Sequence, residues 1–259
     1  MQTLLNTPHE IIQQNILGAA AKAKTRILNI LVLGIMAGSF IAMGAQSSSL
    51  AVHNISNVGL ARTLAGCIFP VGLMMIVFVG GELFTGDCMM SMAWMQRKIH
   101  FADMLRTLVL VYVSNFVGAA LIAFLVAHSG QYDYSSGALG AYTIKVAYGK
   151  VHLSFANALV SGILCNILVC VAVLMAAAAK DIAGKVLAIF FPILAFVVSG
   201  FEHCVANMYY IPAGIFASKN AAYATKALEL YNIDSTQLSS LNWGSFAISN
   251  LIPVTIGNI

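Results

Sequence analysis

The stretch Ser199-Gly200-Phe201-Glu202-His203-Cys204-Val205-Ala206-Asn207 sets a carboxyl, an imidazole and a carboxamide inside a long apolar run, Val186 to Ile215. A run of that length reads as embedded in a bilayer. Hydrocarbon excludes ionisable groups by a few kcal/mol each, so a residue held there marks a substrate or proton pathway. The bland alternative is a histidine that only ties helices together. A second interruption of the same kind, Gly80-Gly81-Glu82-Leu83-Phe84-Thr85-Gly86-Asp87, comes earlier in the chain. Two broken helices in corresponding positions point to a binding site between repeats.

Composition narrows the class. Of 259 residues, 60% are hydrophobic and 8% charged, against about 25% charged in soluble domains. The chain therefore reads as an all-α polytopic membrane protein. Its net charge of +4 comes from basic residues scattered among loops, so no nucleic-acid role follows.

Spans of about 20 apolar residues are needed to cross a bilayer. Six are expected, approximately Ile27–Gln46, Thr63–Trp94 (broken at 80–87), Leu105–His128, Leu153–Ala179, Val186–Ala217 (broken at 199–207) and Trp243 to the end. The last stops at Ile259, short of a full crossing, and the expectation is a missing disordered or cleaved tail rather than an incomplete span. Phe69-Pro70 opens the first interrupted span and Phe191-Pro192 the second, and each leads to an acid at the break, Glu82 or Glu202. With three spans per half, the halves about 27–128 and 153–259 are expected as an inverted repeat, which makes 27–259 a single transmembrane domain. Lys22, Lys24, Arg26, Arg97, Lys98, Lys180 and Lys185 cluster on one side, which places the N-terminus and those loops in the cytoplasm of a multi-pass protein of the inner cell membrane. The loops 129–152 and 218–242 fall on the other side.

Residues 1–26 have no apolar core of a cleaved signal. Thr7, Pro8 and Glu10 form a capping box with proline at the first helical position. Ile11, Ile12, Ile16 and Leu17 follow as an apolar stripe, so a cytoplasmic amphipathic helix on the membrane surface is expected. Cys67, Cys88, Cys165, Cys170 and Cys204 lie in or beside apolar segments without a C-x-x-C pair and read as small buried fillers, with no disulfide framework, metal site or other cofactor implied.

Three stretches together resemble the formate/nitrite transporter family: Gly80 to Gly86, Gly162 to Ala172 (Gly-Ile-Leu-Cys-Asn-Ile-Leu-Val-Cys-Val-Ala), and Gly200 to Met208. Asn250 to Asn258 is similar to the start of that family's last helix. The resemblance implies an aquaporin-like protomer of six spans with broken second and fifth helices, assembled as a homopentamer in membrane lipid with one pore per chain. It also implies a substrate class, small inorganic or carboxylate anions such as formate, nitrite or hydrosulfide, and a channel rather than an enzyme. Carried over by position, His203 is the pore histidine in contact with Thr85, with Asn166 and Asn207 as polar groups near it. Leu83 and Phe84 belong to the loop at the first break and, with Phe69, Leu73 and Phe196, form apolar constrictions. Lys22 and Lys150 are vestibule cations, and Glu82 and Glu202 have a proton-handling or structural part. Asp87-Cys88 stands where formate channels of the family carry small hydroxylated residues.

The chemistry fits those residue types. A bare anion in an apolar slit loses its hydration and needs a donor at mid-membrane. Histidine titrates near neutral pH and can donate a hydrogen bond or a proton, which makes the expected function a pH-sensitive anion passage. A pore for neutral solutes is the competing reading; it lacks the paired Asn-Pro-Ala turns, since Met208 follows Asn207. An intramembrane metalloprotease would need a second histidine at helical spacing, and His203 has none.

Overall fold

The computed structural model describes residues 5–259, so residues 1–4 of the expected 1–26 segment lie outside the described residues. Apart from an isolated bridge between Leu5 and Ala179, the described elements are helical. The first, α1 (Pro8–Lys22), begins as its residues dictate: Thr7 Oγ1 accepts the Glu10 N–H, and the Glu10 carboxylate accepts the Thr7 N–H at 2.6 Å. Its packed face differs from the expected stripe. Ile16 and Ala19 are buried against Met90, Ala93 and Met104, while Ile12 and Leu17 are exposed. The small side chains let α1 sit close on the bundle, so its contact is with protein rather than with a surface alone.

Helix α2 (Ile27–Val52) leads to α3 (Val58–Ile68) and α4 (Val71–Val79), which continue one another across Pro70. The chain then extends over residues 80–83 and restarts as α5 (Phe84–Asp87), α6 (Met90–Met95) and α7 (Phe101–Ala127). After α8 (Ala138–Val151) and α9 (Phe155–Ala178), helix α10 (Ile182–Ser199) stops at Gly200 and α11 (Cys204–Ser218) begins four residues later. Short helices α12 (Ala221–Tyr231), α13 (Ser235–Ser239) and α14 (Trp243–Ser245) precede a π-helical turn, Phe246–Leu251, and α15 (Ile252–Asn258).

Several expected boundaries are corrected. The first long helix runs on to Val52. Asn57 caps α3 by accepting the Leu60 N–H, so the second limb starts at Val58 rather than Thr63; Asp181 caps α10 in the same way, ahead of Val186. Phe69-Pro70 and Phe191-Pro192 therefore lie within their limbs instead of opening them. The third and fourth helices start at Phe101 and Phe155. The breaks are short, residues 80–83 and 200–203. Segments 129–152 and 218–242 are not plain loops, because α8 fills most of the first and α12 with α13 most of the second.

Glycine ends the first limb at both breaks. Gly80 has φ +102° and Gly200 has φ +71°, conformations that other residues adopt only under strain. Among the described residues, five segments are long and apolar enough to cross a membrane: Ile27–Val52, Val58–Val79, Phe101–Ala127, Phe155–Ala178 and Ile182–Ser199. Their packing is intimate. A Cβ on Gly38 would strike the Asn115 carbonyl, so α2 and α7 meet backbone to backbone. The outward face of α7 carries Leu105, Val109, Val113, Val117 and Leu121, all exposed. An apolar stripe of that length suits hydrocarbon or further protein and not water. The chain is a multi-pass membrane protein.

Candidate functional site

Both breaks are held by the same set of bonds. At the first, Asn115 of α7 accepts the Phe84 N–H (3.0 Å) through Oδ1 and donates through Nδ2 to the carbonyls of Gly34 and Glu82, both 2.8 Å. At the second, Asn258 of α15 accepts the Cys204 N–H (2.8 Å) and donates to the carbonyls of Gly162 (2.8 Å) and Glu202 (3.0 Å). Each asparagine thus satisfies the first N–H of the restarting helix and a carbonyl stranded by the break. No water is needed there, which is what buried irregular backbone requires. It also explains why the helices restart as early as Phe84 and Cys204.

Each break also carries a glutamate paired to a lysine. Glu202 Oε1 accepts Lys150 Nζ at 2.8 Å, and Oε2 accepts Asn207 Nδ2 (2.7 Å) and Asn250 Nδ2 (3.3 Å). Glu82 Oε2 pairs with Lys22, whose Nζ also donates to Asp87 Oδ1 at 2.5 Å. Lys22 and Lys150, expected as vestibule cations, are therefore ion-paired at the breaks. Glu202 faces α8 and the π turn while also bordering the cavity below.

His203 joins the two breaks. It occupies the N-cap of α11, where its Nδ1 accepts the Ala206 N–H at 3.0 Å. That use of Nδ1 puts the ring proton of the neutral imidazole on Nε2. Nε2 in turn lies 3.0 Å from Thr85 Oγ1 and donates to it. The Thr85 hydroxyl keeps its own proton for another acceptor. The expected pair is thus formed, and both side chains are buried.

A cavity of about 430 Å³ reaches His203 and Asn207 from one side. Phe69 and Phe196 stand in its wall, their rings edge to face at 5.4 Å. Arg62 and Lys145 also line it. Arg62 donates to the Val198 carbonyl at 3.1 Å and Lys145 lies 4.5 Å above the Tyr231 ring. Among the described residues neither makes an ion pair. A separate cavity of about 180 Å³ lies against Asp87 and Lys22. The limb formed by α3 and α4 runs from Arg62 to the break, and α5 and α6 run on toward α1, so the two cavities lie on either side of it.

Other expected residues are placed differently. The Phe84 ring packs on Tyr112 of α7 at 4.8 Å, because the Asn115 bond to its N–H turns it that way. Leu73 and Leu83 are buried in the same core, and none of the three lines the larger cavity. Asn166 donates to the Asn258 carbonyl and so serves α15 rather than the histidine. Cys67 is exposed, unlike the buried Cys88, Cys165 and Cys204. Asn115 and the pair Arg62 and Lys145 were not expected at the site. An amide amid the apolar residues of α7 was the available signal for the first; nothing local marks the other two.

A family profile described as "Formate/nitrite transporter" matches residues 9–259. "Uncharacterized transporter YrhG" of Bacillus subtilis is 37% identical over 255 residues, 97% of this chain and 87% of its own. "Formate channel FocA" of Haemophilus influenzae is 36% identical over 244 residues, 93% of this chain and 85% of its own. A solved structure described as "Pentameric formate channel with formate bound" superposes with a TM-score of 0.79 at 31% identity, covering 90% of this chain and 91% of that one. A profile that spans all but the first residues, with relatives this similar over nearly the full length, shows that the chain belongs to the formate/nitrite transporter family.

Proposed function

We propose that the protein passes small monovalent anions of weak acids, formate first and nitrite or hydrosulfide by the same chemistry, through one pore in each chain of a five-chain ring. The descriptions of the relatives support both the anion and the ring. In this reading six spans cross the inner membrane, residues 27–52, 58–95, 101–127, 155–178, 182–218 and 243–258. The two halves are inverted copies, α1 is a cytoplasmic helix, and 27–259 form a single channel domain. The matched asparagine bonds at the two breaks support the repeat.

The bond between His203 and Thr85, at the inner end of a cavity with unpaired cations, carries the reading. An anion stripped of water between Phe69 and Phe196 meets the Thr85 hydroxyl, whose oxygen the imidazole N–H polarises. The neutral ring acts as a hydrogen-bond donor, because giving up its only N–H proton would leave an imidazolate. Full transfer from His203 needs the imidazolium, and a proton on Nδ1 displaces the Ala206 cap.

His203→Asn separates these roles, since asparagine is itself a good N-cap. Formate flux into proteoliposomes is expected to fall about 100-fold, the scale of removing one preorganised donor, with the thermal midpoint little changed. Thr85→Ala lowers flux as well, by less. Wild-type flux with unaltered pH dependence in His203→Asn would remove the proposal.

Arg62 and Lys145 raise the anion concentration at the cavity. With both changed to glutamine, influx from that face drops several-fold at low ionic strength. The difference closes near 1 M salt, where the screening length is about 3 Å. An equal deficit at all salt concentrations contradicts a role through long-range charge.

A further inference from the structure

We infer that Asp87 and Glu82 share a proton and form a proton-binding site on the α1 side of Thr85, from which a passing conjugate base is protonated. The donation rests on the reading of the protein as an anion passage; the proton site itself does not.

One cation faces a buried acid, Asp87, and a half-buried one, Glu82. Lys22 Nζ is 2.5 Å from Asp87 Oδ1 and touches Glu82 Oε2, which places the two carboxyls within about 5 Å of each other. The Asp87 side chain is 1% exposed, and its Oδ2 has no partner. Were both ionised, one negative charge would stay uncompensated out of water, and buried carboxylates this close retain a proton instead.

The other groups facing the pair do not supply a counter-charge. Burial works against the charge of Lys22, but Asp87 and Glu82 more than reverse that and keep it a cation, already counted. Cys88 is bonded through its thiol to the Phe84 carbonyl, and the Cys170 thiol of α9 donates to the Thr85 carbonyl. Asn115 of α7 contributes only an amide, and His203 lies beyond Thr85 as a neutral ring.

The molecule contains its own control. Glu202 has Lys150 as its cation and Asn207 five positions on, where Glu82 has Asp87. One cluster is a balanced pair; the other has an acid in excess. The 180 Å³ cavity, bordered by Gln14, Asn15 and Gly18, gives the excess acid a way to solvent on the α1 side.

A carboxylic acid also suits the task that the capped histidine cannot perform. Its O–H proton can be handed to an anion and taken back, whereas the neutral ring can only donate a hydrogen bond. The carboxyl O–H bond breaks, a bond to the basic atom of the anion forms, and the neutral acid moves on. Two carboxylates remain beside Lys22, and a proton from water on the α1 side restores the pair.

Infrared spectra of the protein in lipid bilayers near neutral pH test this. Wild type is expected to show the C=O stretch of a protonated carboxyl, shifted in heavy water and lost in both Asp87→Asn and Glu82→Gln. In proteoliposomes, acidifying the α1 face is expected to raise wild-type formate flux, and Asp87→Asn to lose that response several-fold. A wild-type spectrum without the band, a band that survives Asp87→Asn, or an unchanged α1-face response overturns the inference. If the band behaves as expected and wild type carries no anion, the transport reading fails and the proton site stands.

Discussion

Glu202→Ala is expected to be among the most destabilising single substitutions in the chain. It leaves the Lys150 ammonium without a counter-charge and the Asn207 and Asn250 amides without their shared acceptor. The Lys150 side chain is only 17% exposed, in the wall of the larger cavity, and recovers little of its hydration. Breaking a buried ion pair from one side costs about 3–5 kcal/mol, which for a chain of this size is a drop of about 10 °C in thermal midpoint. Melting in detergent measures it. Glu202→Gln is expected to fall between, because it keeps an acceptor and loses the charge. Glu202→Gln with Lys150→Met is expected to recover much of the loss, since the unpaired ammonium is gone. A midpoint for Glu202→Ala within about 2 °C of wild type would show that the pair is open to water.

Asn115→Leu is the second large effect. It strands the Phe84 N–H and the Glu82 carbonyl and removes a second bond to the Gly34 carbonyl, which α2 already uses. Each orphaned buried group costs about 1–3 kcal/mol, so a loss of about 3 kcal/mol or more is expected. Asn258→Leu does the same to Cys204, Gly162 and Glu202. Hydrogen exchange locates the damage: the amides of residues 84–88 should lose protection in the first variant and those of 204–208 in the second. Equal loosening of both breaks by either variant contradicts the assignment of one asparagine to each.

Much of this site was visible in the residues alone. A glycine, an acid and an apolar run identify each break, and His203 facing Thr85 follows from the resemblance and is present in the structure. The limits of the breaks were not visible, because they depend on which distant amide reaches the first free N–H. Asn115 and Asn258 sit in apolar helices far along the chain from what they hold, so sequence shows that they need partners without showing which. Lys22 and Lys150 were read as open cations for the same reason: Glu82 and Glu202 were seen, but not that they close on those lysines. Arg62 lies one residue ahead of the expected start at Thr63, and the helix capped by Asn57 carries it to the cavity.

Unlike charge at the two ends has an electrical consequence. The larger cavity holds unpaired Arg62 and Lys145, while on the α1 side Lys22 is matched by two acids. In the proposed passage, one attractive mouth and one indifferent mouth are expected to rectify: under equal and opposite voltages, the current carried by anions entering past Arg62 exceeds the reverse current. The gradient sets the direction, and fixed charge alone, without any moving part, sets how much flows each way.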